Sequence, residues 1–180
     1  MVSAVVIADD DSLVGNLEVQ EADLLISLGD LWNSTIEKVA GQYLCDQVVA
    51  ARGNHDTAGP YPEGVESLHL SVFTFRGITF GGFDGSWKYK PRGHHMYEQE
   101  EVARSLEGFP AVDVFVAHNS PARIHERDTD VHQGFSAFND YIARAKPSLF
   151  LYGHQHLNLT SQIQDTKVVG VFGEVAIALP

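Results

Sequence analysis

The sequence predicts an α/β fold in which two packed, mixed β-sheets carry helices on their outer faces. Two observations lead there. Short, uninterrupted apolar runs recur along the chain, and such runs suit strands buried on both faces. Helical patterns fall between some of them, while the C-terminal half is dominated by strand patterns, so helices and sheets must form separate layers. The 180 residues suffice for a single domain, 1–180, with a substantial core. No repeat, low-complexity tract or linker divides them.

The elements follow in order. Ala4 to Ile7 is a β-branched run that ends at Asp9-Asp10-Asp11. Asp23 to Leu28 is a second run, ending at Gly29-Asp30. Ser34-Thr35-Ile36-Glu37 has the form of a capping box and predicts a helix from there to about Leu44. Gln47 to Ala51 is a third run, ending at Gly53-Asn54-His55-Asp56. Leu68 to Phe75 and Ile78 to Phe83 flank Arg76-Gly77 and read as a hairpin. Gly85 to Tyr97 reads as an irregular loop, and Glu98 to Leu106 as a charged helix. Val112 to Ala117 is another buried-type strand, ending at His118. Ser136 to Ala145 is a helix stopped before Lys146-Pro147. Leu149 to Tyr152 is a strand ending at Gly153-His154-Gln155-His156, and the tail carries two or three more strands around Asp165-Thr166 and Gly173.

Composition narrows the function. Asp plus Glu number 24 against 12 Lys plus Arg, a net charge of -12, which argues against sequence-independent duplex binding. The one cysteine, Cys45, excludes a disulfide framework and is expected to be a packed thiol. The first residues lack a basic region before the apolar run, and no apolar run reaches the length of a membrane helix. The expectation is a cytoplasmic protein that does not enter the membrane. Nine histidines are many for this chain, and histidine is the commonest metal ligand.

Five polar motifs stand at the carboxyl ends of predicted strands: Asp9-Asp10-Asp11, Gly29-Asp30-Leu31-Trp32-Asn33, Gly53-Asn54-His55-Asp56, Ala117-His118-Asn119 and Gly153-His154-Gln155-His156. Carboxylates, an amide oxygen and imidazoles gathered at one sheet edge suit divalent ions. In this order the five motifs resemble the calcineurin-like metallophosphoesterase superfamily, whose pattern is D-x-H, G-D-x-x-[DN], G-N-H-[DE], H and G-H-x-H. Gly82-Phe83-Asp84-Gly85-Ser86-Trp87 and His132-Gln133-Gly134-Phe135 look like phrases of its small bacterial members.

That resemblance implies a four-layer αββα sandwich and a metal-dependent phosphoesterase with a dinuclear centre. It assigns Asp9, Asp11, Asp30 and His156 to a first metal, and Asp30, Asn54, His118 and His154 to a second. His55 would serve the leaving group as general acid or electrostatic stabiliser. Manganese is the expected ion, with iron, zinc and magnesium as alternatives, and a small phosphate ester, more readily a diester, is the expected substrate. Asn33 would orient His55, and Arg52 would grip phosphate or pair with an acid at the sheet edge. The sequence departs from the pattern at Asp11, where the family has His, and at Asn33, where it commonly has Asp. Lys88, Lys90 and Arg92, concentrated in a loop of an acidic protein, are a candidate substrate-attracting patch, while Trp87 and Tyr89 are expected to pack.

Rival readings use fewer of these residues. Val5 to Asp11 with Asp30 and Lys146-Pro147 imitates a response-regulator receiver. Only about 20 residues separate its acids, too few for a crossover helix and strand. A haloacid-dehalogenase phosphatase would use Asp9 and Asp11 and leave the histidines idle. A retromer subunit resembles the same family yet works as a scaffold, so a non-catalytic interaction role is the remaining alternative. It gives no reason to keep His55 and the ligand set.

Overall fold

The computed structural model describes residues 1–19 and 21–179. A five-stranded sheet holds β1 (Val2–Ala8), β2 (Leu24–Ser27), β3 (Gln47–Ala50), β4 (Val65–Ser67) and β13 (Gly173–Leu179), ordered β13-β1-β2-β3-β4. A six-stranded sheet holds β5 (Val72–Phe75), β6 (Ile78–Phe83), β9 (Val114–Ala117), β10 (Leu149–Tyr152), β11 (Leu159–Ile163) and β12 (Thr166–Gly170), ordered β11-β12-β10-β9-β6-β5. In both, the central strands run parallel. β13 joins β1 antiparallel, and β11 and β5 close the second sheet antiparallel.

Side-chain alternation builds the layers. In β1, Val2, Ala4, Val6 and Ala8 enter the core between the sheets, while Val5 and Ile7 face α1 (Asn33–Gln42). In β9 and β10, Val114, Val116, Leu149 and Leu151 enter the same central core. Their neighbours Phe115, Ala117, Phe150 and Tyr152 meet α2 (Gln99–Leu106) and α3 (Ser136–Ala145). Both faces of the central strands β2, β9 and β10 are buried, which is why the sequence shows continuous apolar runs there. The outcome is the expected αββα sandwich.

Local expectations met the structure with a few differences. Arg76 and Gly77 both take positive φ, as a tight hairpin turn between β5 and β6 requires. α3 spans Ser136–Ala145 as expected. The capping box expected at Ser34 does not form: α1 starts one residue earlier, with Trp32 at the N-cap and no side-chain cap. A capping box forms instead at α2, between Glu98 and Glu101. Gly85 to Tyr97 is not wholly irregular, since β7 (Ser86–Trp87) and β8 (Met96–Tyr97) pair in parallel. The short strand β4 had no apolar run to announce it, with two of its three residues exposed. Cys45 is half-buried, and burial beside Asp46 and Asp23 pushes its thiol up to about 11, as suits an inert packed thiol. No helix among the described residues is long and apolar enough to cross a membrane.

Candidate metal centre

The parallel strands deliver their motifs to one edge. Asp9 follows β1, Asp30 follows β2 and Asn54 follows β3 in the first sheet; His118 follows β9 and His154 follows β10 in the second. Two bonds tie the sheets together there. His118 Nδ1 donates to the Leu28 carbonyl at 2.7 Å, and the His154 amide donates to both oxygens of Asp9 at 3.0 and 2.9 Å.

Asp30, His118 and His154 each place a ligand atom within 4.8 Å of the others. His118 is fully buried, and its Nε2 lies 3.4 Å from Asp30 Oδ2 and 3.2 Å from Asn54 Oδ1. The Leu28 bond fixes the His118 tautomer so that Nε2 is the free ligand atom. His154 Nε2 donates to the Val131 carbonyl at 3.1 Å, which leaves Nδ1 for a metal. Asn54 Nδ2 donates to the Tyr89 hydroxyl at 3.3 Å, which turns its oxygen toward His118. The donor set therefore fits a divalent ion with mixed oxygen and nitrogen ligation.

The electrostatics also call for a cation. Burial pushes Asp9 up to about 7. Burial would push Asp30 up too, but the His118 charge and hydrogen bond and the His55 amide hold it below the usual carboxylate range. Burial pulls His118 down, yet Asp30 and Asp9 outweigh it and raise the imidazole to about 10. A protonated His118 thus balances acids that a bound ion would otherwise balance, and ion binding displaces that proton. His154 is pushed down to about 3 by burial and by the His118 charge, so it stands neutral, as a ligand must.

The remaining expected ligands are less tightly gathered. Asp9 Oδ1 lies 3.9 Å from His156 Nε2, and His156 is exposed, its ring stacked on Phe172 at 4.9 Å. Asp11 accepts the Trp32 amide at 3.1 Å and lines the cleft in front of Asp30. Asp9, Asp30, His154 and His156 all have positive φ, between 51° and 69°. The chain turns sharply at these four positions, directly after β1, β2 and β10, as it also does at ordinary turns such as Arg76 and Lys146.

His55 has an exposed side chain beside this group, and its amide donates to Asp30 Oδ1 at 2.7 Å. Asn33 does not bond His55. Its amide accepts from Arg52 Nη1 at 3.0 Å and donates to the Pro60 carbonyl at 3.4 Å. Arg52 is buried and its guanidinium makes no acid pair among the described residues: Nη2 donates to the Gly59 carbonyl at 2.8 Å, and the group lies 3.6 Å over the Tyr61 ring. These bonds brace the loop after His55. In the basic loop, Lys88 is 3.5 Å from Glu98, Lys90 lies 5.1 Å from the Tyr89 ring, and Arg92 is exposed. What links that loop to the ligands is Tyr89, an aromatic read from sequence as packing.

Asp56 is the functional residue the sequence reading passed over. It is buried, and its carboxylate accepts from the amides of Asp30 at 3.0 Å, Leu31 at 3.1 Å and Gly53 at 2.7 Å. It clamps two ligand loops together. The signal was its place in Gly53-Asn54-His55-Asp56, as the acid that closes the motif. Gln155, buried between the two motif histidines, holds the opposite loop through the Arg127 amide and the His132 carbonyl.

The closeness of these loops depends on glycine at position 53. A Cβ there would sit 2.0 Å from Asp30 Oδ1 and 2.5 Å from the Asp30 amide nitrogen. Gly53→Ala is expected to cost about 1–3 kcal/mol by overpacking, a loss of roughly 2–12 °C in Tm, together with weaker metal binding. Thermal melts with and without divalent ion check this. An unshifted Tm would show that the two loops can separate freely.

Two packed sheets thus gather carboxylate, amide and imidazole groups at one edge, a donor set suited to a divalent ion. Residues 7–178 match the calcineurin-like phosphoesterase superfamily domain, and the chain belongs to that family. Among solved structures it is similar to TT1561 of Thermus thermophilus, with TM-score 0.61 and 16% identity over 94% of this chain and 88% of that one. It is also similar to the phosphopantetheinyl hydrolase PptH of Mycobacterium tuberculosis, with TM-score 0.56 and 14% identity over 94% and 89%. Zinc-complexed Vps29 of Entamoeba histolytica shares the fold at TM-score 0.53 and 10% identity over 95% and 74%. No curated protein sequence matches the chain.

Proposed function

We propose that this protein is a cytoplasmic phosphodiesterase that works with two divalent ions, Mn²⁺ being the preferred one. The observation that carries the reading is the convergence of Asp30, His118 and His154 within 4.8 Å, with Asn54 Oδ1 on the same imidazole. Asp30, Asn54, His118 and His154 would hold one ion; Asp9, Asp11, Asp30 and His156 would hold the other. Ions bound there supply Lewis-acid polarisation of a phosphoryl oxygen and an acidified water.

The chain's own residues supply the rest. His55, exposed beside Asp30, donates a proton to the leaving-group oxygen. Asp56 holds the Asp30 and Gly53 amides in register, so the ligands are organised before substrate arrives. The oxygen-rich set of Asp9, Asp11 and Asp30 suits Mn²⁺ or Mg²⁺ better than Zn²⁺. The same acids, with Asp56 behind them, repel a dianionic monoester more than a monoanionic diester.

The test is hydrolysis of bis(p-nitrophenyl) phosphate. Chelator is expected to abolish it, and added Mn²⁺ to restore it. Undiminished turnover by metal-stripped protein would refute the reading.

A further inference from the structure

Trp32 is a large aromatic with no packing role. It is 69% exposed, and it is the one aromatic among the exposed large apolar side chains of the described residues. It belongs to none of the buried clusters and stacks on no other ring among those residues. A single exposed apolar residue is ordinary on a protein surface. Trp32 differs in where it stands and in how firmly its backbone is held.

It lines a cleft of about 370 Å³ whose other walls include Asp11, Asp30, Asn33, His55 and Thr57. The indole therefore shares one space with the candidate ligand Asp30 and with His55. Its backbone is fixed at both ends. The Trp32 amide donates to Asp11 Oδ1 at 3.1 Å, and its carbonyl accepts from Thr35 at 2.9 Å and Ile36 at 3.2 Å as the first turn of α1. With the backbone held, only the two side-chain torsions of the indole remain to be ordered on contact, a small entropy cost for so large a flat surface. The volume lies at the small end of the range for small-molecule sites, roughly 300–1,000 Å³, and so suits one compact group in place of a folded partner. Thr57 places a hydroxyl on the same wall, where a heteroatom of a base or a ribose can meet it, while the Asn33 amide is held by Arg52 and Pro60.

We infer that Trp32 is a substrate-binding residue that stacks on a nucleobase, so that the phosphoester cleaved carries a nucleoside on the His55 side. This rests on the phosphoesterase reading and names its substrate class. Stacking needs only a π-face, so Trp32 sets the class of leaving group and leaves base identity open.

The experiment uses the Mn²⁺-loaded full chain, in which Trp32 and Trp87 are the only tryptophans. AMP is expected to quench the emission of Trp87→Phe, where Trp32 alone reports, and to leave that of Trp32→Phe unchanged. Glycerol phosphate should quench neither. In parallel, AMP, phenyl phosphate and glycerol phosphate are compared as inhibitors of aryl diester hydrolysis. The preference for AMP over glycerol phosphate should fall about 5- to 100-fold in Trp32→Ala, the worth of one stacked base, and return in part in Trp32→Phe. Equal inhibition by phenyl phosphate and AMP would overturn the nucleoside assignment. Unquenched Trp87→Phe, or an unchanged preference in Trp32→Ala, would overturn the stacking role. Absence of any hydrolysis by the wild type would sink the phosphoesterase reading instead, and the fluorescence titration would still decide whether Trp32 receives a base.

Discussion

Asp30→Asn is expected to abolish tight divalent-ion binding and to lower turnover by at least about 10²–10³-fold, the scale of losing one preorganised electrostatic group. The substitution isolates charge from shape. An amide oxygen in place of Oδ1 still accepts the His55 amide, now at 2.7 Å, so the loop after β3 keeps its geometry. What disappears is the negative charge 3.4 Å from His118 Nε2, which both holds the imidazole proton in the free protein and attracts the ion that replaces it. Calorimetric titration with Mn²⁺ and metal analysis of the purified variant read the first effect; circular dichroism confirms that the fold is retained. Wild-type metal content in Asp30→Asn would show that Asp30 is not a ligand. It would also move the centre toward Asp9 and His156.

His55→Ala is expected to lower kcat by about 10²–10⁴-fold, the usual contribution of a general acid, without changing metal content. The geometry separates this variant from the previous one. The His55 backbone amide bonds Asp30, while its side chain extends outward and bonds no protein group among the described residues. Truncation therefore leaves Asp30, Asn54 and His118 in place. The decisive readout is a series of aryl diesters with leaving groups of graded acidity. A good leaving group departs without a proton, so the loss should shrink as leaving-group acidity rises. A uniform loss across the series would make His55 a phosphate-positioning residue.

The candidate ligands could be read from the sequence because each is written where a strand stops. Apolar runs mark β1, β2, β3, β9 and β10, and polar residues at the ends of parallel strands must gather at one edge. Side-chain partners across the fold were not legible. Tyr89 looked like a packing residue because nothing in its own neighbourhood indicates Asn54, 35 positions earlier. Arg52 had the neighbours of a phosphate-gripping residue, yet its guanidinium is spent on Asn33, Gly59 and Tyr61. Asp56 looked like the end of a motif and is a clamp on Asp30 and Leu31, 26 and 25 positions away. The start of α1 was missed by one residue, since Asp11 and the turn at Trp32 set it in place of a side-chain cap at Ser34.

The sequence by itself determined the layers and the inventory of the candidate site. Burial periodicity is a local property, and strands buried on both faces leave the same signature wherever they stand. Only the tertiary structure decided which atoms meet. Packing of the two sheets through Val6, Ile26, Val116 and Leu151 brings His118 from one sheet to Leu28, Asp30 and Asn54 of the other. That approach takes its distance and angle from the close-packed core, so the tautomer of His118, the orientation of the Asn54 amide and the exposure of Trp32 follow from contacts no local pattern encodes.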